Sequence, residues 1–330
     1  MSTYINLFAC CIPVKGFKRS TICDLQRNSF LYITNDLYNY LIKNLNTPIS
    51  ELDLETKEVL MYLVENEYAY LTDEKDLFPA LSNTTFNDIP NQVNTIIVDL
   101  DENSNYNLNK LSSSILDMRI YALEIRIYHI IRNEELISIL NKLITEHIRT
   151  CYITFKYSEL INDDFLVQLI STADVIKQVI IHSAPYNSVK TSFYGTTLIY
   201  SKEHIIDESH CGNISPNYFE ANMDHFKNRK VNNCLHGKIS VSKEGEIKSC
   251  PSTKDIYGHI DLNTLRDVVK TKNIKKLWNI SKDDINGCKD CEFRYICLDC
   301  RAYTENGNKY SKPKKCDYDP YTNKWKNEKN

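Results

Sequence analysis

The sequence predicts an α/β chain: a partial (β/α) barrel of parallel strands, with a smaller module before it and a cysteine-rich lobe after it. Three observations predict this. Apolar, β-branched segments start at Thr95, Leu123, Tyr152 and Val179, 27 to 29 residues apart, with helix-like patterns between them. Strands alternating with helices at that pitch make parallel sheets with right-handed crossovers. Short β-rich runs and two helical patterns fill the chain up to Leu71. Seven cysteines, Cys234, Cys250, Cys288, Cys291, Cys297, Cys300 and Cys316, crowd into the last 97 residues.

The N-terminal elements come first. Strands are expected at Tyr4–Phe8, Thr21–Leu25 and Phe30–Thr34, the last two joined by a turn at Gln26-Arg27-Asn28. Asn35 or Asp36 caps a helix carrying Leu37, Leu41, Ile42 and Leu45, and a second helix carries Leu54, Val59, Leu60, Tyr62 and Leu63. A strand at Tyr68–Leu71 follows. Strand, strand, helix, helix, strand reads as a winged-helix-like module over residues 1–85, of a kind that takes a peptide onto an exposed sheet edge.

The barrel segment is assigned to residues 90–205. Its clearest helical pattern, Glu134–His147, is expected to be capped by Asn133, and Thr197–Tyr200 supplies one more strand. Four or five units cannot close an eight-unit barrel, so a partial barrel or open sheet is expected. Asp99 and Asp101 flank the end of the first strand and read as solvated loop carboxylates. His129, His147, His182 and His204 read as core or surface residues. In residues 206–330, Lys238–Ser242 and Ile247–Ser249 form a hairpin, and Leu262–Leu277 has a helical pattern. Little aliphatic core remains there, which fits a lobe held by metal centres.

Composition narrows function. A net charge of -3 gives no electrostatic case for nucleic acid or an acidic membrane. The eight glycines are scattered and form no phosphate loop. No stretch reaches the ~18 apolar residues of a membrane span, and the first residues lack a secretory signal. A cytoplasmic protein is expected, in which twelve cysteines favour metal binding over six disulfides. Thiolates at short spacing select iron–sulfur clusters or zinc. Both stay open on spacing alone.

The full pattern is Cys234-x10-Gly245-x4-Cys250, then Cys288-x2-Cys291-x5-Cys297-x2-Cys300, then Cys316. It resembles the SPASM domain, the auxiliary-cluster domain of radical-SAM peptide-modifying enzymes. The family usually places three residues between its fifth and sixth cysteines, where this chain has two. The resemblance implies one 4Fe–4S cluster on Cys288, Cys291, Cys297 and Cys316. It implies a second on Cys234, Cys250 and Cys300, with Cys211 of His210-Cys211-Gly212 as the fourth-ligand candidate.

A radical-SAM enzyme also carries C-x3-C-x2-C in the loop after its first strand. Here that loop, Asp101 to Leu108, has no cysteine, and Cys10, Cys11 and Cys23 lie too early at the wrong spacing. The barrel therefore looks like a radical-SAM half barrel without its initiating cluster, and no S-adenosylmethionine is expected. The combination resembles the SPASM-domain peptide maturases of grasp-with-spasm systems. Segments that fit are Ile22-Cys23-Asp24-Leu25-Gln26-Arg27, Asn233-Cys234-Leu235-His236, Cys250-Pro251-Ser252 and Cys288 to Cys297. The resemblance implies a maturation factor for a ribosomally synthesised peptide, with a precursor peptide and an ATP-grasp ligase as partners. The alternatives are a redox enzyme acting on the peptide through its clusters, and a zinc-stabilised adaptor.

Overall fold

The computed structural model describes residues 3–43, 47–74, 81, 93–192, 195–271 and 273–326. Two compact units emerge. The first unites Met1–Asp88, Asn213–Asn233 and Ile280–Asn330; the second unites Ile89–Gly212 and Cys234–Asn279. The cysteine-rich stretch 206–330 is shared between them. The boundary expected between residues 85 and 90 lies outside the described residues, as does Leu45.

In the first unit, β1 (Tyr4–Leu7), β2 (Cys11–Val14), β3 (Ser20–Asp24) and β4 (Ser29–Ile33) precede α1 (Asn35–Lys43), α2 (Leu54–Glu65) and β5 (Ala69–Thr72). The strands β2-β3-β4 form an antiparallel sheet, and β1 pairs with β5. Every residue of β3 is buried because both of its faces are covered. Ile22 joins Ile5, Ile33, Leu41, Leu60 and Leu63 under the two helices. Cys23, with Val14 and Leu25, packs on the other side against Phe293, Ile296, Cys297 and Tyr318. The cysteine run is thereby built onto the back of the N-terminal sheet. A buried pair locks that junction: Arg19 Nε donates to Glu292 Oε1 at 2.7 Å, and Thr21 Oγ1 donates to Glu292 O at 3.0 Å.

The second unit holds one nine-stranded sheet. Its strands are β6 (Thr95–Leu100), β7 (Ala122–Ile127), β8 (Thr150–Lys156), β9 (Ile176–His182), β10 (Ser188–Thr191), β11 (Thr197–Tyr200), β12 (Lys238–Val241), β13 (Glu246–Lys248) and β14 (Gly258–His259). The order is β10-β11-β9-β8-β7-β6-β12-β13-β14, parallel from β11 through β12. The helices α3 (Leu108–Asp117), α4 (Asn133–Leu143) and α5 (Asp163–Ser171) link successive parallel strands. Because β6 to β9 lie side by side in chain order, the right-handed crossover rule puts all three helices on one face.

Register separates the two faces of this sheet. Ile96, Leu123 and Cys151 align across strands, as do Val98, Ile125 and Ile153; all six are buried and apolar, as the helix-covered side requires. Ile97, Glu124 and Ser240 share the opposite face, with Asp99, Arg126 and Thr154 in the next row. This second face is polar, and the candidate site lies on it.

Several elements differ from the sequence expectation. The α4 cap position is Arg132, without a side-chain cap bond, and Asn133 is the first helical residue. The helix ends at Leu143 because Ile144 turns extended. The pattern over Leu262–Leu277 yields a helix only over Leu265–Lys270, started by Thr264, whose side chain accepts from Asp267 N. Asp99 is not a solvated loop carboxylate: it is buried within β6. Among the described residues no helix is long and apolar enough to cross a membrane.

Candidate metal centres

In the first unit, Cys288, Cys291, Cys297 and Cys316 converge. Cys288 sits in a short 3-10 turn whose carbonyl accepts from Cys291 N at 3.0 Å, so one turn of chain offers two thiols. Cys297 closes the next turn, its N–H donating to Phe293 O at 3.0 Å. Cys316 arrives on a parallel bridge with Ile214. Burial raises the pKa of Cys288, Cys291 and Cys297, with Cys297 pushed up to about 12.

The counter-charge is Lys282, which is 6% exposed. Its Nζ donates to Leu298 O at 3.0 Å and to Cys297 Sγ at 3.6 Å. Burial opposes its charge, but Cys297, Cys288, Asp299 and Cys316 outweigh that and raise its pKa. Nearby, Asp299 pairs with Arg301 Nη2 at 2.7 Å and takes Asn232 Nδ2 at 2.5 Å. Arg301 is 5% exposed, yet its Nε has no hydrogen-bond partner among the described residues. Two buried cations against one carboxylate leave positive charge that four thiolates on a metal centre would balance.

Cys300 also belongs to the first unit. Burial raises its pKa, while N–H groups of Tyr303 and Ala302 hydrogen-bond its sulfur and lower it.

The second unit gathers Cys211, Cys234 and Cys250. Cys234 precedes β12 and Cys250 follows β13, so the antiparallel hairpin returns both to one end. Its turn needs Gly245: φ is +85°, and a Cβ would meet His259 Nε2 at 2.8 Å. Lys238 faces the set. Burial opposes its charge, but Cys234, Glu124, Cys250 and Cys211 raise its pKa. Cys211 Sγ accepts from Arg126 Nη1 at 2.9 Å and lies 3.6 Å from His210 Nε2.

Spacing bears on the metal. Four thiolates on one tetrahedral zinc, with Zn–S ~2.3 Å, stand ~3.8 Å apart. Among the described residues, the group of ligand atoms all within 4.8 Å of one another is Cys10, Cys11 and Asp24. No three cysteines of either converging set meet that spacing. The Asp24 carboxylate is already committed, accepting from Gln26 N at 2.9 Å, Arg27 N at 3.0 Å and Arg27 Nε. Burial, with Cys10 and Asp24 close by, also holds the Cys11 thiol far above its usual range. This trio locks a turn.

Both donor sets are soft thiols, a chemistry that suits zinc or an iron–sulfur centre. Sequence reasoning missed Lys282, Lys238 and Arg126. Only Arg126 had a local signal: Leu-Glu-Ile-Arg-Ile alternates charge within a strand of a type normally apolar on both faces. His182 proves fully buried, its Nε2 3.3 Å from Ile127 O and its Nδ1 3.0 Å from Ser183 Oγ.

No family model matches the chain. No curated protein matches it by sequence. Among solved structures, the Streptococcus suis protein SuiB bound to precursor peptide SuiA aligns with 94% of this chain and 99% of that chain, at 10% identity and a TM-score of 0.32. A likeness that distant carries no argument about this chain.

Proposed function

We propose that this protein is a maturation factor for a ribosomally synthesised peptide, binding a precursor peptide and acting with an ATP-grasp ligase. Cys288, Cys291, Cys297 and Cys316 hold one auxiliary 4Fe–4S cluster. Cys211, Cys234 and Cys250 contribute to a second. The observation that carries the reading is that each unit turns a set of cysteines toward a buried cation, Lys282 Nζ at 3.6 Å from Cys297 Sγ in one and Arg126 Nη1 at 2.9 Å from Cys211 Sγ in the other. The soft thiol donors suit such clusters, with structural zinc as the alternative that metal analysis separates.

The protein works without the usual S-adenosylmethionine cleavage. The loop after β6 carries no cysteine. At the strand end, Asp99 is taken up by Arg126 and by Tyr128, whose OH donates to it at 3.0 Å.

The precursor peptide docks on β4. That strand is an edge of its sheet, and a groove of about 580 Å³ runs beside it, lined by Leu31, Tyr32, Leu37, Tyr40, Val59 and Tyr62. Main-chain pairing on the edge would give affinity and the groove would take apolar anchors. Asp36 and Glu55 at its rim favour a peptide with basic residues beside them.

The test is iron and sulfide analysis of anaerobically purified protein, with pull-down of precursor and ligase. Two clusters per chain and retention of both partners are expected. Stoichiometric zinc without iron, or association with neither partner, would refute the reading. A precursor mass change that needs this protein but not the ligase would replace it with direct redox modification.

A further inference from the structure

The polar face of the sheet carries an immobilised arginine that reaches a thiol beyond its carboxylate partner. Arg126 on β7 is 1% exposed. Its Nε and Nη2 donate to Asp99 Oδ1 and Oδ2 at 2.7 Å each, a two-pronged pair that fixes the guanidinium plane. Tyr128 OH holds Asp99 Oδ2 at 3.0 Å, and Tyr106 OH donates to Asp99 O at 3.0 Å. So held, the guanidinium directs Nη1 to Cys211 Sγ at 2.9 Å. Holding two strands together does not explain this arrangement, because well-packed apolar side chains would do that as well or better. The aim at a thiol is what needs explaining.

We propose that Arg126 is a positioning residue that sets the reduction potential of the iron–sulfur centre held by Cys211, Cys234 and Cys250, with Asp99 and Tyr128 fixing its guanidinium on the Cys211 sulfur. The inference rests on the proposed function. One electron enters the centre from an external low-potential one-electron donor. No bond forms or breaks, and Arg126 stays protonated throughout. The added negative charge is stabilised by an N–H already aimed at a ligand sulfur, so the potential rises; hydrogen bonds to sulfur and outer-shell charge are the protein's usual means of moving it. Lys238 adds a second positive charge to the same set, but on a flexible stem without a planar fork. Arg126 therefore supplies the directional part.

The experiment is a dithionite titration of the full-length, anaerobically purified protein, followed by electron paramagnetic resonance. Arg126→Met is expected to lower the reduced-to-oxidised ratio of one centre at least tenfold at fixed poise, about 59 mV for a one-electron couple. The other centre is unchanged, and iron and sulfide contents are kept. Arg126→Lys recovers part of the shift, since a point charge replaces the fork. Lys282→Met, which faces the other cysteine set, moves the other centre. Should Arg126→Met fail to fold, Arg126→Met with Asp99→Leu removes both buried charges together and shifts the ratio in the same direction. An unchanged ratio in a variant that keeps its iron overturns the inference and leaves the proposed function standing. Wild-type protein without iron overturns both.

Discussion

Lys282→Met removes one positive charge from the first cysteine set and keeps most of the stem. The ammonium lies 3.6 Å from Cys297 Sγ and 3.7 Å from Asp299 Oδ1, in a setting where the residue is 6% exposed. At an effective dielectric of ~20, a unit charge at that distance from a thiolate is worth about 4–5 kcal/mol before desolvation. Desolvation of the ammonium takes back about half to two-thirds of it, leaving ~1.4–2.5 kcal/mol. That corresponds to ~10- to 100-fold in metal retention, the usual scale for an outer-shell partner. Asp299 is not orphaned by the change, because Arg301 and Asn232 still hold it, so the loss should fall on the centre and not on the fold. The assay is anaerobic iron release to a ferrous chelator. Half of the iron should leave Lys282→Met ~10- to 100-fold faster than wild type, with Lys282→Arg between them. Equal release rates at full iron content would refute the reasoning.

Three further outcomes follow from other parts of the fold. Arg19→Ala leaves Glu292, fully buried, with the Tyr318 hydroxyl at 2.5 Å on its carboxylate and no counter-charge from Arg19. Breaking a buried pair costs ~3–5 kcal/mol; with the Arg19 side chain 29% exposed, the urea midpoint should report the low end, and Arg19→Met with Glu292→Leu should recover most of it. Burial chiefly, with Lys156, His210 and His204 nearby, lowers the His182 pKa against the Ile127 carbonyl. Its contribution to stability is therefore complete above about pH 6.5, the unfolded value, and is lost as the pH falls from there through the folded value; His182→Asn should flatten that part of the urea midpoint profile. Val59→Asp, on the groove beside β4, should weaken precursor binding ~10-fold or more in a calorimetric titration while leaving iron content unchanged.

What the sequence made legible depends on where each signal sits. The strands β6 to β9 were plain because each is a short apolar run repeated at one pitch. β2 was hidden: Cys-Ile-Pro-Val contains a proline, which argues against a strand by its missing donor, yet the segment pairs with β3 along its length. That β12 would extend the parallel sheet through β6 could not be read, since its partner lies about 140 residues upstream and no local pattern encodes the choice. The cysteine pairs announced themselves because a thiol ligand set needs close spacing along the chain. The cations that face them had no such constraint: Lys282 reaches Cys297 across 15 residues and Arg126 reaches Cys211 across 85. A buried thiol prefers to keep its proton, as the raised pKa values of Cys288, Cys291 and Cys297 indicate, so a ligand set proposed from spacing alone is not yet a set of thiolates. The positive charge that helps make it one is placed by strand register and by turns. The ligands of such a centre can therefore be read from one dimension, while the groups that tune them become visible only in three.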